Sequence, residues 1–469
     1  MKTYRTNKAW RIKRDGKAYY LRHQNGARLR TDRLVNAIWE KADGRTFSGI
    51  KQELERRLTI SDWLLGETLR LMEAGELLAS DETPSAKPPA PDQTGGFGGR
   101  LTRTDPPGRA SKGPVVSVVI VNRDGEEHLG TLLPSLARQD YPDIEIVMVD
   151  NGSTDNSTAK LKEFFPDAKV VALDNDAGFA GGNNMGIAVA TGEYIFLLNN
   201  DTELADDCIG ALVAWAAGKP DLAAVVPKIY FWRLPKFLNA IGNSVRPKGW
   251  GSDNYIGYLD IGQFDATEQV FSACFGAVML SREALDKVGR LDAKYKFYYE
   301  DADWSYRARL AGLKIYFAPG ARVYHKFNAS MKSLEPNFKW QLVIGNRLRF
   351  ITKNLSKGTW LNFMRNYAKE DIRGFLRSVK HRDIGMAWTY TLAWLRFLAG
   401  LPGIVAARRR IQKSRVLKDG ALFELWPELP PLLDLTGNPV FDIATIRRIY
   451  VHFLPAATPE MSFPRKQES

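Results

Sequence analysis

From Val115 onward, apolar runs of strand length alternate with segments of helical spacing, and each run ends in polar residues. No other feature constrains the fold as tightly. Val116 to Val121 is a near-continuous β-branched run, as a strand covered on both faces requires. Leu129, Leu132, Leu133 and Leu136 follow at helical spacing. Ile144 to Val149 reads as the next strand, Thr158 to Phe165 as a helix and Val170 to Leu173 as a strand. Gly182 to Ala190 is helical, and Tyr194 to Leu198 is a fourth strand. The succession predicts an α/β fold with a mostly parallel, doubly wound sheet. Such sheets bind ligands beyond the carboxyl ends of their strands, so the chemistry belongs at the strand tips.

The first tip carries Asn122, Arg123, Asp124 and Gly125. The second runs from Asp150 through Asn151, Gly152, Ser153, Thr154 and Asp155 to Asn156. A carboxylate at Asp150 can accept hydrogen bonds from a base or a ribose, while Asp155 or Asn156 can cap the next helix. The third strand leads into Asn175 to Gly186, with glycines at 178, 181, 182 and 186. They permit close backbone approach and offer N–H donors, or they pack a helix onto the sheet. The fourth tip is Asn199-Asn200-Asp201, where a carboxylate can hold a divalent cation bridging two phosphates. Further on, Phe297 to Arg307 places Glu300, Asp301 and Asp303 within four positions. Acids that close repel one another. Either they serve a proton or a cation, or they sit at the start of a helix, whose N–H groups favour them.

The chain has 469 residues and a net charge of +13, which suits two or three domains and an anionic partner. Its two cysteines, Cys208 and Cys274, lie in apolar runs and read as ordinary buried residues of a reducing compartment. The first residues, Met1-Lys-Thr-Tyr-Arg, lack an apolar core of signal length, so a cytoplasmic location is expected.

Taken together, the NRDG, DNGSTDN, GFAGGNN, NND and YYEDADW segments between Val115 and Phe327 resemble family 2 glycosyltransferases, nearest to the bacterial rhamnosyltransferase-like branch of cell-surface polysaccharide assembly. The resemblance implies the GT-A fold, a nucleotide-diphosphate sugar donor and inverting transfer to a lipid-linked or glycan acceptor. It places base-binding residues at Asn122, Arg123 and Asp150, and a donor loop at Gly178 to Gly186 with Gly182 and Asn183. The metal-binding Asp-x-Asp falls on Asn199-Asn200-Asp201, so Asn199 departs from the pattern and Asp201 is the lone carboxylate, with Asn200 beside it. Mg2+ or Mn2+ is the implied cofactor, with His325 as a further ligand or a structural residue. The catalytic Glu-Asp falls on Glu300-Asp301, with Asp301 as the base; Asp303 caps, pairs with Arg307 or touches the acceptor.

The expected domain plan has five parts. Residues 1–80 form a small winged-helix-like module, with a hairpin across Asp15-Gly16 and three helices, that resembles the PqqD-like peptide-binding family. A Pro/Gly-rich linker spans 81–114, the catalytic domain 115–335, a helical, basic region 336–455 and a tail 456–469. Met386 to Ala407 is apolar but interrupted by Arg396 and Pro402-Gly403, and Arg408, Arg409, Arg410, Lys413, Arg415 and Lys418 follow. That pattern suits lying on an anionic membrane face better than crossing it. The module at 1–80 leaves open a second reading, a peptide-binding scaffold with a secondary sugar-nucleotide site. Nucleic acid is not expected as a partner, because the basic residues gather beside the apolar helix.

Overall fold

The computed structural model describes residues 3–6, 8, 10–15, 18–23, 28–31, 33–55, 69, 78–80 and 113–425, apart from 233, 247–250, 257–259, 261, 263 and 327–334. Most of the third N-terminal helix, the 81–112 stretch of the linker and the tail after Pro455 lie outside the described residues. The chain divides into two compact units, residues 1–97 with 257–259 and 429–469, and residues 98–256 with 260–428.

In the first unit, β1 (Thr3–Thr6) pairs antiparallel with both β5 (Arg45–Thr46) and β6 (Leu78–Ser80). A meander joins β2 (Trp10–Asp15), β3 (Ala18–His23) and β4 (Arg28–Thr31). Helix α1 (Arg33–Ala42) buries Ile38 and Ala42, and α2 (Phe47–Glu55) buries Ile50 and Leu54. Gly44, at φ +72°, ends α1 in the left-handed region that glycine enters without strain.

The second unit is built on a nine-stranded sheet. Its first half is the expected alternation: β7 (Val116–Asn122), α3 (Glu126–Ala137), β8 (Ile144–Asp150), α4 (Ser157–Phe164), β9 (Lys169–Ala172), α5 (Gly178–Val189) and β10 (Tyr194–Asn199). β9, β8, β7 and β10 lie side by side and parallel. Beyond them the sheet is mixed. β11 (Thr202–Leu204), α6 (Cys208–Ala216), β12 (Leu222–Phe231), β13 (Leu234–Ala240), the short pair β14 (Asn243–Ser244) and β15 (Ser252–Asp253), β16 (Ala277–Ser281), α7 (Arg282–Val288), α8 (Glu300–Leu310) and β17 (Lys314–His325) follow. β16 runs antiparallel between β10 and β12, while β12 and β17 are parallel. α5 sits close on the sheet because it carries glycines where side chains would collide. A Cβ on Gly186 would fall 2.3 Å from Val119 Cγ1, and one on Gly182 2.8 Å from Val121 Cγ1.

Five helices complete this unit: α9 (Pro336–Asn354), α10 (Lys357–Lys380), α11 (Ile384–Ala399), α12 (Leu401–Lys413) and α13 (Asp419–Phe423). Ile344, Leu348 and Ile351 of α9 pack in one core with Tyr306 and Leu310 of α8 and with Ala393, Phe397 and Ile404. α11 and α12 meet at Gly400 with a bend of 59°. The break falls just before Pro402, which sits in the first turn of α12, where its missing N–H costs nothing.

Candidate functional site

The parallel strands deliver their polar tips at one level, since Asn122 of β7 is in register with Asp150 of β8. Asn122 is fully buried, and its Oδ1 accepts from Asn200 Nδ2 at 2.8 Å, latching the tip of β7 to the turn after β10. Asp150 Oδ1 accepts the Ser153 N–H at 2.9 Å, which shapes the turn after β8. Arg123 is more than half exposed and pairs with Asp176 at 2.9 Å. Asp176 in turn accepts from Asn151 Nδ2 and the Gly178 N–H. Asn122, Arg123, Asp150 and Asn200 thus gather at one rim.

The glycine-rich segment behaves differently. Gly178, at φ +70°, starts α5 against Lys296, whose carbonyl accepts the N–H groups of Phe179 at 2.9 Å and Ala180 at 3.2 Å. Those helix-start donors are engaged within the protein. Gly182 lies against Val121, and Asn183 donates to the Phe179 carbonyl at 2.9 Å inside its own helix. The expectation that Gly182 and Asn183 contact the donor is therefore corrected: close packing of α5 on β7 occupies both.

Asp201 follows Asn200 and is 2% exposed. β11 pairs with the end of β17 and so sets Thr202 opposite His325. His325 Nε2 lies 3.1 Å from Asp201 Oδ1, and its Nδ1 is 2.8 Å from Asn239 Oδ1. Burial would lower the imidazole pKa, but the Asp201 carboxylate outweighs it and holds it above the usual value. Nδ1 faces Asn239 and Nε2 is the nitrogen turned to the carboxylate. The 3.1 Å between Nε2 and Oδ1 is an ion-pair distance, and it also matches the roughly 3 Å separation of neighbouring ligands in an octahedron with bonds of about 2.1 Å. The pair therefore fits one side of a small divalent cation. Among the described residues no group of three or more His, Cys, Asp or Glu forms a full ligand set, so phosphate oxygens and water would complete the shell.

A second cluster adjoins this pair. A Cβ on Gly276 would lie 3.7 Å from Asn199 Nδ2, 3.7 Å from Cys274 Sγ and 3.8 Å from His325 Cε1, so three elements converge on that glycine. Burial, and then the charges of Asp253 and Asp301, push the Cys274 thiol well up, so it stays un-ionised. Asp253 is pushed up to about 6 by burial, against the pull of His325 and the Cys274 thiol. Asp301 Oδ2 accepts from Asn243 Nδ2 at 2.7 Å, and the same amide donates to the Ala273 carbonyl at 2.9 Å. Burial raises Asp301 to about 7, with Asp253 adding to the rise and the Ala302 N–H and Asn243 pulling against it. Asp253, the strand partner of Asn243, feels the charge of both His325 and Asp301, so it stands between the Asp201–His325 pair and Asp301.

The three acids of α8 have three environments. Glu300 is buried, its Oε2 has no hydrogen-bond partner among the described residues, and burial, then the charge of Asp301, push it well up. Asp301 alone reaches the cluster. Asp303 does not: it is fully buried and bound by Lys353 at 2.8 Å, Arg307 at 2.9 Å, Asn354 at 2.8 Å and the Tyr295 hydroxyl at 3.0 Å. Burial alone would raise it, but Lys353 and Arg307 hold it well below the carboxylate range. Helical spacing puts Asp303 about 200° around the axis from Asp301, so its expected catalytic place is corrected to a structural one.

The turn before α8 is strained. Lys296, Tyr298 and Tyr299 have φ of 57°, 68° and 72°, each costing roughly 1–2 kcal/mol for a side chain of this kind. Asn346 of α9 offsets that strain: its Nδ2 donates to the carbonyls of Tyr295, Phe297 and Tyr298 at 3.0, 2.8 and 2.9 Å. Asn243, Asp253 and Asn346 escaped the sequence reading because no motif or period marks them. Cys274, read as an ordinary core residue, stands beside Asp253 and Asp301. One cavity, of about 860 Å³, is lined by Gly289, Arg307, Gly400 and Arg410 among others and by none of the expected site residues.

Residues 117–289 match the family described as Glycosyl transferase family 2. The matched stretch holds the parallel strands with their polar tips and Asp201, in a unit with the GT-A fold; Asp301 and His325 follow it in the chain. One curated relative is the O-antigen biosynthesis protein RfbC of Myxococcus xanthus, 27% identical over 247 residues, which cover 47% of this chain and 18% of RfbC. Another is a PGL/p-HBAD biosynthesis glycosyltransferase of Mycobacterium bovis, 26% identical over 201 residues, 42% of this chain and 69% of that protein. The chain spans well under two thirds of the first curated relatives it matches. A solved structure, the mannosyltransferase PcManGT of Pyrobaculum calidifontis with GDP-Man and Mn2+, is 15% identical, covers 61% of this chain and 88% of its own, and gives a TM-score of 0.39.

Proposed function

We propose that this protein is an inverting glycosyltransferase that moves a hexose, with rhamnose the leading choice, from a nucleoside diphosphate to a lipid-linked or polysaccharide acceptor. The observation that carries the proposal is Asp301, a half-buried carboxyl poised at about 7, anchored by Asn243 and sharing the neighbour Asp253 with His325, the partner of Asp201. A general base works best when its pKa lies near the working pH. In the proposed step the acceptor hydroxyl gives its proton to Asp301. Its oxygen bonds to the anomeric carbon as the bond from that carbon to the diphosphate oxygen breaks. The electron pair leaves with the nucleoside diphosphate, and the configuration inverts. A divalent cation on Asp201 and His325 would supply positive charge to the departing diphosphate. Arg123 and Asp150 are the groups offered to the base and ribose, while Asn122, fully buried against Asn200 and Ser153, holds the rim that carries them. Relatives named for O-antigen and PGL/p-HBAD biosynthesis support a glycan or glycolipid product; transfer at the cytoplasmic face of the membrane is part of the proposal. The first unit is proposed to act as a PqqD-like module that takes up a peptide or protein partner.

The test begins with thermal shift of the full chain against UDP-, dTDP- and GDP-sugars, with and without manganese. The stabilising donor then enters a transfer assay. Asp301→Asn is expected to keep the melting temperature and lose transfer by about 100-fold or more. Turnover close to wild type would remove Asp301 from the mechanism, and a chain that no nucleotide sugar stabilises would overturn the donor class.

A further inference from the structure

The helical region leaves one kind of surface uncovered. Among the described residues, thirteen large apolar side chains remain exposed, and nine of them lie on α10 and α11. On α10, Leu361, Ile372, Leu376 and Val379 fall within about 60° of arc at 100° per residue, with Phe375 at the border. On α11, Ile384, Trp388, Leu395 and Leu398 fall within about 80°. Ile384 is 80% exposed, and Ile372, Leu376 and Trp388 are each 58% exposed. The opposite faces are accounted for: α10 buries Phe363 and Tyr367, and α11 buries Ala393 and Phe397. The two helices pack side by side through Trp394, whose Nε1 donates to Asp371 at 3.0 Å.

Charge selects the occupant. Beside the apolar stripe of α10 runs an exposed cationic ridge of Arg365, Lys369, Arg373 and Lys380. The acids of α10 do not neutralise it, because Glu370 and Asp371 both turn to the buried Arg347. An apolar stripe edged by cations is the pattern of a helix lying in the interface of an anionic bilayer. The basic stretch after α11, expected from sequence to meet the membrane, is partly engaged elsewhere. Arg408 donates to the carbonyls of Thr352 and Leu355, and Arg415 pairs with Asp419. Among the described residues no single helix is long and apolar enough to cross a membrane. The bent pair α11–α12 meets that length and composition, yet it holds Phe397 and Ile404 in the protein core.

We propose that the outer face of α10 and α11 is a docking surface for an anionic lipid bilayer, with the apolar stripes in the acyl boundary and the α10 ridge on the headgroups. The proposal rests on this surface alone, so it stands or falls separately from the sugar chemistry. The test is co-sedimentation of the full chain with phosphatidylcholine vesicles, with and without about a third phosphatidylglycerol. Wild type is expected to sediment at least tenfold more strongly with the anionic vesicles. Arg365→Glu with Arg373→Glu should abolish that preference, and Leu376→Glu with Trp388→Glu should abolish binding altogether, both with unchanged thermal melts because all four positions are exposed. Binding that survives both double variants would overturn the proposal. So would chain that resists alkaline extraction, which means a span, or a dimer in light scattering that Trp388→Glu dissolves, which means a second copy covers the face.

Discussion

Neighbours of opposite sign set the proton affinity of Asp301. Burial and the charge of Asp253 raise it, while the Ala302 N–H and the Asn243 amide lower it. The base form grows as pH rises through about 7, so transfer should accelerate with pH across that region. Asp253→Asn removes a negative charge and should move the acidic limb of log kcat/KM to lower pH. Asn243→Ala removes a donor to the carboxylate and should move the limb to higher pH, each shift being on the order of one unit. A pH–rate series on the two variants checks this, and limbs that move the same way would contradict the assigned neighbours. The sequence showed Asp301 and Asp201 because each stands in a run whose spacing has meaning. It hid Asn243 and Asp253, which lie on two-residue strands too short for any period. Asp303 misled because three acids at a helix start look alike until helical rotation sends them to different surroundings.

At the scale of elements, the turn from Lys296 to Tyr299 couples two helices. Its Lys296 carbonyl caps α5, and its end launches α8 and Asp301. Three left-handed residues make the turn costly, and Asn346 holds it with one amide on three carbonyls. Asn346→Ala should leave buried carbonyls without a donor, at about 1–3 kcal/mol. The melt should fall by several degrees, and kcat should drop more than KM changes, since Asn346 acts by positioning α8. Asn346→Asp should be worse than Ala, because it sets a carboxylate against three carbonyl oxygens. Parallel measurements of melting and transfer decide it: an Asp variant as stable as wild type would mean the turn does not depend on this amide. The parallel half of the sheet was readable in advance, because strands buried on both faces are continuous apolar runs and their helices keep a 3.6-residue period. The left-handed turn was not, since its residues, Lys and Tyr, are ones that disfavour positive φ and are held there by a helix some fifty residues downstream. The role expected of the α5 glycines failed for a related reason: glycine marks close approach, and sequence does not say whether a ligand or a strand makes it.

The match to the family ends at residue 289, which would suit a catalytic domain able to stand without the C-terminal helices. The packing argues otherwise, since residues 98–256 and 260–428 form one unit. Asp303 of α8 is bound by Lys353 and Asn354 of α9, and Lys353, 2% exposed, also reaches Asp292 at 2.6 Å. Tyr306 of α8 donates to Asp419 of α13. The helix that carries the proposed base is thus fixed from its far side by residues 336–425. A chain ending at residue 335 would leave Asp303 buried without its main cation and open the core that Ile344, Leu348 and Ile351 fill. We expect residues 113–335 alone to lack a cooperative melt. In the full chain, Lys353→Met should cost about 3–5 kcal/mol, because breaking a buried pair leaves an uncompensated charge. The pH dependence supplies the sign. Asp303 has a depressed pKa in the folded state, so its stabilisation is complete above the unfolded carboxylate value of about 3.9 and is lost as pH falls below it. Lys353→Met brings the folded and unfolded values closer and should flatten that acid limb of stability. Denaturant unfolding of both chains between pH 3 and pH 7 is the measurement. An equally steep acid limb in the variant, or a cooperative fold for 113–335 by itself, would show that the C-terminal helices are passengers and not part of the catalytic scaffold.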